Sequence, residues 1–256
     1  MEKIIKILKA SVFIAILGMI FYVAFIVDYE QPYKINVIEI NGGEHLSTEK
    51  YFSYAGLDDK SKYDELTLPI IKSRLEKHPY VKRADVLYVG DGKVEVKITE
   101  KDFMAILMTG DKEFILTSDF EVLPVLPYTM QINIPVITDN KLSAKIKAFD
   151  YVGNNKELLL VFKIFDVMKM VNPQLFDNLS EIARVNEKDF NLYFTFANYD
   201  LIIDRRNAID EIYKFNALWK YLDGNSIIDE LDYVDLRYNG KIFLGFEEKT
   251  AEGNKS

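Results

Sequence analysis

No cysteine occurs in the 256 residues, so a disulfide framework and a thiolate metal centre are both excluded. Histidine is nearly absent: only His45 and His78 occur, and neither has a second ligand at the spacing of a helical zinc motif. His45 lies beside the Gly42-Gly43 turn and His78 at a helix end before Pro79, positions where a structural or a solvent-exposed residue is expected rather than a ligand. No glycine-rich phosphate loop and no Gly-x-Ser-x-Gly elbow is present. Basic charge is also short, with 32 Lys and Arg against 40 Asp and Glu. Residues 1–27 carry net +2, which leaves −10 on the remainder of a chain whose total is −8. That balance argues against nucleic acid or an anionic lipid as the main target.

Long apolar runs are absent too, with one exception. Residues 10–27, ASVFIAILGMIFYVAFIV, contain no charge and are flanked by Lys3, Lys6 and Lys9 before and by Asp28 and Glu30 after. As a helix they would cover roughly 27 Å, close to the hydrocarbon thickness of a bilayer. The lysines place residues 1–9 in the cytoplasm and the following chain outside. A cleaved signal peptide is the rival, but Phe25-Ile-Val-Asp-Tyr-Glu30 offers no small-x-small cleavage site. The reading is therefore a short cytoplasmic N-terminus (1–9), a transmembrane helix (10–27) and an exported remainder.

Residues 28–101 read as a β-α-α-β-β unit. A strand over 35–40 ends at Asn41-Gly42-Gly43, and Ser47 opens a short helix that Gly56 stops. A second helix starts near Thr67, with Pro69 in its first turn and Leu68, Ile71 and Leu75 on one face. Strands over 81–89 and 93–99 flank the hairpin turn Gly90-Asp91-Gly92. Residues 102–247 form a second, β-rich unit. Helices are expected over 156–171 and 207–223, the latter with Ile212, Phe215, Trp219 and Leu222 on one stripe. A final hairpin joins 233–237 to 241–246 through Asn239-Gly240, and residues 248–256 read as a flexible tail. The fold class is α+β: one N-terminal membrane helix, a βααββ unit, then a mixed β-sheet domain with flanking helices.

Four segments share an order known from one family. These are Val37-Ile-Glu-Ile-Asn-Gly-Gly43, His78-Pro-Tyr-Val-Lys-Arg-Ala-Asp-Val86, Val94-Glu-Val-Lys-Ile-Thr-Glu-Lys101 and Tyr233-Val-Asp-Leu-Arg-Tyr238. Together with the anchor, this series resembles the bacterial cell-division family FtsQ/DivIB, whose first exported unit is a POTRA domain (polypeptide-transport-associated domain). The chain departs from the family pattern at Lys101-Asp-Phe103 and at Thr117-Ser118, and its cytoplasmic segment is very short.

The resemblance implies a non-enzymatic scaffold of the inner membrane at the division septum, with no cofactor. It implies partners of the FtsB and FtsL type and a role in controlling septal peptidoglycan synthesis. It places the docking site on the last two strands, at Arg237, Tyr238, Gly240, Gly245 and Phe246. The residues themselves point to the same strand. Lys241, Ile242, Phe243, Leu244, Gly245 and Phe246 come last and are expected at an open sheet edge. In this reading Ile242, Leu244 and Phe246 face one side and Phe243 the other. Gly245 would admit a partner backbone, and Arg237 would meet a partner carboxylate. Two other readings stay open. Paired carboxylates drawn from Asp229, Glu230, Asp232 and Asp235 would suit a membrane-anchored cell-wall hydrolase. A POTRA-type export chaperone is the other.

Overall fold

The computed structural model describes residues 2–26, 33–130, 132–139, 141–142, 146–222, 230–238 and 240–246. The expected tail 248–256, Asp229 and Asn239 lie outside the described residues. The architecture is mixed α+β, with a three-stranded sheet and a nine-stranded sheet.

Helix α1 runs Glu2–Ile26. Its described side chains, at Lys9 and over 11–23, are all exposed. The expected span 10–27 lies partly outside the described residues, and among those described no helix is long and apolar enough to cross a membrane.

The first sheet is built from β1 (Val37–Asn41), β2 (Val81–Gly90) and β3 (Lys93–Glu100), in the order β1-β3-β2. β1 lies parallel to β3, and β2 is antiparallel to it. β1 starts two residues later than the apolar alternation suggests, because its pairing begins only at Val37 opposite Lys93. Helices α2 (Thr48–Ala55) and α3 (Leu68–Glu76) pack on one face. The Thr67 hydroxyl accepts the Ile70 N–H at 3.2 Å and so caps α3, whereas Ser47 makes no such bond at the start of α2. Gly56, at φ +61°, closes α2 in the left-handed region. A 3-10 turn over Lys60–Glu65, not foreseen in the sequence, is capped by Asp59 through the Ser61 N–H.

The second sheet takes β4 (Phe103–Thr109), β5 (Lys112–Thr117), β6 (Val122–Pro124), β7 (Val136–Thr138), β8 (Leu179–Arg184), β9 (Asp189–Phe194), β10 (Asp200–Asp204), β11 (Leu231–Asp235) and β12 (Phe243–Phe246). Their order is β12-β11-β10-β9-β8-β7-β4-β5-β6. Helix α4 (Lys156–Val171) has the predicted bounds, since the Asn155 side chain accepts the N–H groups of Glu157 and Leu158 at its start. It continues through Asn172 into the short α5 (Pro173–Asp177). Helix α6 (Ala208–Leu222) connects β10 to β11, and these strands run parallel as a helical crossover requires. Phe165 and Met168 of α4 and Ile212 and Phe215 of α6 reach one core, all with no exposed surface. Each contributes roughly 1.5–3 kcal/mol by leaving water.

The two sheets share buried material. Phe103, Ile115 and Leu123 of the large sheet belong to the same apolar cluster as Tyr51, Ile71 and Val96 of the small one. The Tyr80 hydroxyl donates to the Pro124 carbonyl at 3.1 Å and accepts the Leu126 N–H at 2.8 Å. The Met130 N–H donates to the His45 carbonyl at 2.9 Å. Ion pairs Lys82–Asp119 (3.1 Å) and Lys101–Glu121 (2.7 Å) flank the seam.

Candidate partner-binding edge

β12 pairs with β11 on one side only, in an antiparallel register that sets Phe243 opposite Asp235, Leu244 opposite Val234 and Gly245 opposite Tyr233. Its other side carries no strand among the described residues. An edge strand of this kind presents backbone N–H and C=O groups that another strand can complete. Both strands are displaced from the expected 233–237 and 241–246. A bulge between Leu231 and Tyr233 shifts the register, and the described residues 236–238 and 240–242 lie outside both strands. That turn holds Gly240 at φ +72°, with the Lys241 N–H donating to the Tyr238 carbonyl at 3.1 Å.

The side chains do not split as simple alternation predicts. Leu244 alone turns inward, half-buried against the main core. Tyr238, Ile242, Phe243 and Phe246 remain 53, 38, 45 and 49% exposed. Ile242 and Phe246, two residues to either side of Leu244, keep much of their surface in solvent at this free edge. Tyr238 and Phe243 meet edge to face, with ring centroids 4.9 Å apart. Gly245 plays a different part from the one expected. The space a Cβ would need there is filled by the ring of Tyr233, so the close approach comes from the neighbouring strand of the same chain.

Arg237 is likewise engaged within the chain. Its Nε and Nη2 donate to Asp235 at 2.9 and 2.6 Å, a two-point contact, and its Nη1 donates to Asp189 at 2.8 Å. Burial would raise the Asp235 pKa, but the hydrogen bonds from Arg237 prevail and hold it below the usual carboxylate range. The same contact, with Asp235 first, raises the Arg237 pKa. Arg237 thus ties the end of β11 to the start of β9.

Beneath this tie lies a residue that the sequence reading passed over. Glu211 is 1% exposed, and its carboxylate accepts the Asp204 N–H at 2.7 Å. Burial pushes its pKa up to about 7, and the charges of Asp204 and Asp235 add to the rise. Asp204 itself is held low, first by its hydrogen bond from Arg206. The signal was available: Glu211 falls on the apolar stripe of α6 with Ala208, Ile212 and Phe215, where a charge has no solvent to meet. Its raised pKa suits a general acid, but a group closed off from solvent reaches no polysaccharide.

The histidines serve the small sheet. His45 Nδ1 lies 2.5 Å from Glu100, which also accepts from Tyr51 and from the N–H groups of Glu44 and His45 at 3.0 and 3.2 Å. Burial would raise the Glu100 pKa, yet these bonds, Tyr51 first, lower it. His78 is buried among the rings of Tyr51, Tyr54 and Tyr80, and burial depresses its pKa to about 4. Its Nδ1 accepts the Tyr80 N–H at 3.1 Å, which makes it part of the wall on which Tyr80 reaches the second sheet. Solvent exposure, one of the two roles foreseen for it, does not apply.

Residues 33–101 match the family described as POTRA domain, FtsQ-type. Over 245 residues, 95% of this chain and 87% of the relative, the sequence is 22% identical to the cell division protein FtsQ of Geotalea daltonii. Among solved structures it is similar to the major extracytoplasmic domain of the trans isomer of the bacterial cell division protein DivIB from Geobacillus stearothermophilus. That likeness has 17% identity, covers 50% of this chain and 98% of that one, and has a TM-score of 0.29.

Proposed function

This chain belongs to the FtsQ/DivIB family of bacterial cell-division proteins, and from that premise we propose that it is a non-enzymatic, membrane-anchored scaffold of the division site that captures a partner strand along β12. Residues 28–101 serve recruitment, and residues 102–247 bind partners of the FtsB and FtsL type. The resulting complex helps control septal peptidoglycan synthesis. One observation carries the reading: β12 is the last strand of a nine-stranded sheet, its outer backbone is uncovered among the described residues, and exposed Tyr238, Ile242, Phe243 and Phe246 frame it. Backbone pairing supplies the affinity, and the aromatic frame selects which strand fits. Arg237 contributes by holding the strand ends in place. The anchor is supported by the uncharged run 10–27 and by the exposed apolar side chains of α1, among them Phe13, Ile14, Met19 and Phe21.

The test joins capture to localisation. With Phe243→Pro, the strand loses a backbone donor and its extended pairing, so co-purification of FtsB- and FtsL-type partners with the full chain should fall to background. Amide exchange in β3 should stay slow. Capture unchanged by this substitution would sink strand addition. A fluorescent fusion spread evenly over the envelope of dividing cells, instead of banded at mid-cell, would sink the division-site role.

A further inference from the structure

Glu211 sits where the outer strands join the rest of the large sheet. From the first turn of α6 it reaches the end of β10, where its carboxylate accepts the Asp204 N–H at 2.7 Å. In the parallel register of β10 and β11, Ile202 stands beside Asp235, and the Leu236 N–H donates to the Ile202 carbonyl at 3.0 Å. Glu211, Asp204 and Asp235 are all buried, so three carboxyl groups share the end of this strand pair.

The charges around them are unevenly matched. Asp204 of β10 takes Arg206. Asp235 of β11 takes Arg237, which also holds Asp189 of β9. Lys188, next to β9, acts on Asp204. On α6 itself Lys214 acts on Glu211, without an ion pair between them among the described residues. From α4 come Phe165 and Met168, in the same core, and Asn172, whose amide donates to Asn216 of α6 at 3.1 Å. A neutral Glu211 fits this setting. An ionised one is a buried charge whose acidic neighbours on both strands, Asp204 and Asp235, share its sign.

We propose that Glu211 is a proton-operated latch on the β12 edge: neutral, it lets the end of β11 stay packed on α6, and ionised, it drives that end open, so that strand capture tightens as the medium becomes more acidic. The proposal rests on the strand-capture reading above. Sheet order decides which part yields. β10 is hydrogen-bonded to both β9 and β11, whereas β12 has β11 alone. Releasing the outer pair therefore breaks only the short ladder of Asp200–Ile202 against Tyr233–Asp235. An opened end carries Asp235 and Arg237 away from Asp189 and leaves β12 without a fixed course. The competent fraction and the affinity then fall together. Burial, with Asp204 and Asp235 adding to it, sets proton loss from the closed form at about pH 7, against 4.5 for an open carboxyl. Between these values the closed form holds more protons, so opening rises with pH and levels off above about pH 7.

The exported segment of an FtsB-type partner is titrated against the full-length chain in lipid nanodiscs at about pH 5.5 and about pH 8, on either side of the expected step. The natural chain should bind several-fold more weakly at the higher pH. Glu211→Gln, which keeps an acceptor for the Asp204 N–H, should bind with one affinity at both. In the natural chain, amide exchange of β11, corrected for the intrinsic effect of pH and referred to β3, should also be several-fold faster at the higher pH. Equal affinity of the natural chain at both pH values would overturn the latch and leave capture at β12 standing. So would a pH dependence that Glu211→Gln retains in full, or β11 exchange that does not change. Absence of binding at either pH would overturn the capture reading and the latch with it.

Discussion

The large sheet ends in two different ways. At the β6 edge, the chain itself covers Val122: the Phe149 N–H donates to the Val122 carbonyl at 2.6 Å, and the Val122 N–H donates to the Asp150 carbonyl at 2.9 Å. Tyr151 adds a bridge to Glu121. Phe149 takes φ +71° to make this turn, a conformation unfavourable for an aromatic residue. At the β12 edge no described segment lies outside the strand, and exposed rings stand where a cover would be. The supports differ as well. The closed edge stands on ion pairs with a solvent-facing partner, such as Lys101–Glu121. The open edge stands on buried carboxylates at Asp204, Glu211 and Asp235. A free edge is an aggregation hazard, and proteins that have no use for one blunt it. Here one edge is blunted at the cost of backbone strain, and the other is left available on a firm base.

The most severe way to break this contrast is Arg237→Ala. It strands Asp235, 5% exposed, and frees the start of β9. A loss of about 2 kcal/mol is expected in urea unfolding, together with loss of partner capture. Lys101→Ala at the closed edge removes a more exposed pair and should cost under about 1 kcal/mol.

Glu211→Gln sharpens the contrast through pH. Folded Glu211 keeps its proton up to about pH 7, whereas an unfolded glutamate releases it near 4.5. Between these values the folded state binds more protons, so rising pH lowers stability, and the loss is complete above about pH 7. Glutamine keeps an acceptor for the Asp204 N–H without the titration. The variant should gain on the order of 2 kcal/mol over the natural chain at alkaline pH and nothing below 4.5, read as the difference in urea midpoints.

Gly245→Ala is milder. The new methyl displaces the Tyr233 ring, at a cost of about 1 kcal/mol and a roughly fivefold weaker capture in a binding titration. A small effect is likewise expected of Asp150→Ala, which removes the carboxylate that accepts the Lys147 N–H at 2.8 Å. It should cost about 0.5–1 kcal/mol and speed amide exchange at Val122 and Val152. Partner capture should not appear at β6, since residues 149–151 already occupy the edge beside Glu121 and Val122.

Much of this was legible in the sequence because it is local. The bounds of α4 follow from the Asn155 cap and one apolar stripe, and α6 starts one residue after the range its stripe suggests, whose last residue, Asp223, lies outside the described residues. The edge position of the last strand followed from chain order alone. What could not be read depends on contacts far apart in sequence. Asp189, the second partner of Arg237, lies 48 residues away from it, and no spacing rule joins them. The bulge that displaces β11 and β12 arises from pairing. The role of Gly245 depends on where Tyr233 lays its ring. Glu211 differs, since its place in an apolar stripe was visible and only its consequence was missed.

The seam between the sheets bears on mechanics. Tyr80 bonds to both Pro124 and Leu126, and Phe103 and Leu123 lie in the core of the small sheet. A hinge near residue 101 would have to tear that core open. The two sheets therefore act as a strut: a torque applied at Tyr33 is delivered to β12 as a change of heading, with little lost to bending on the way.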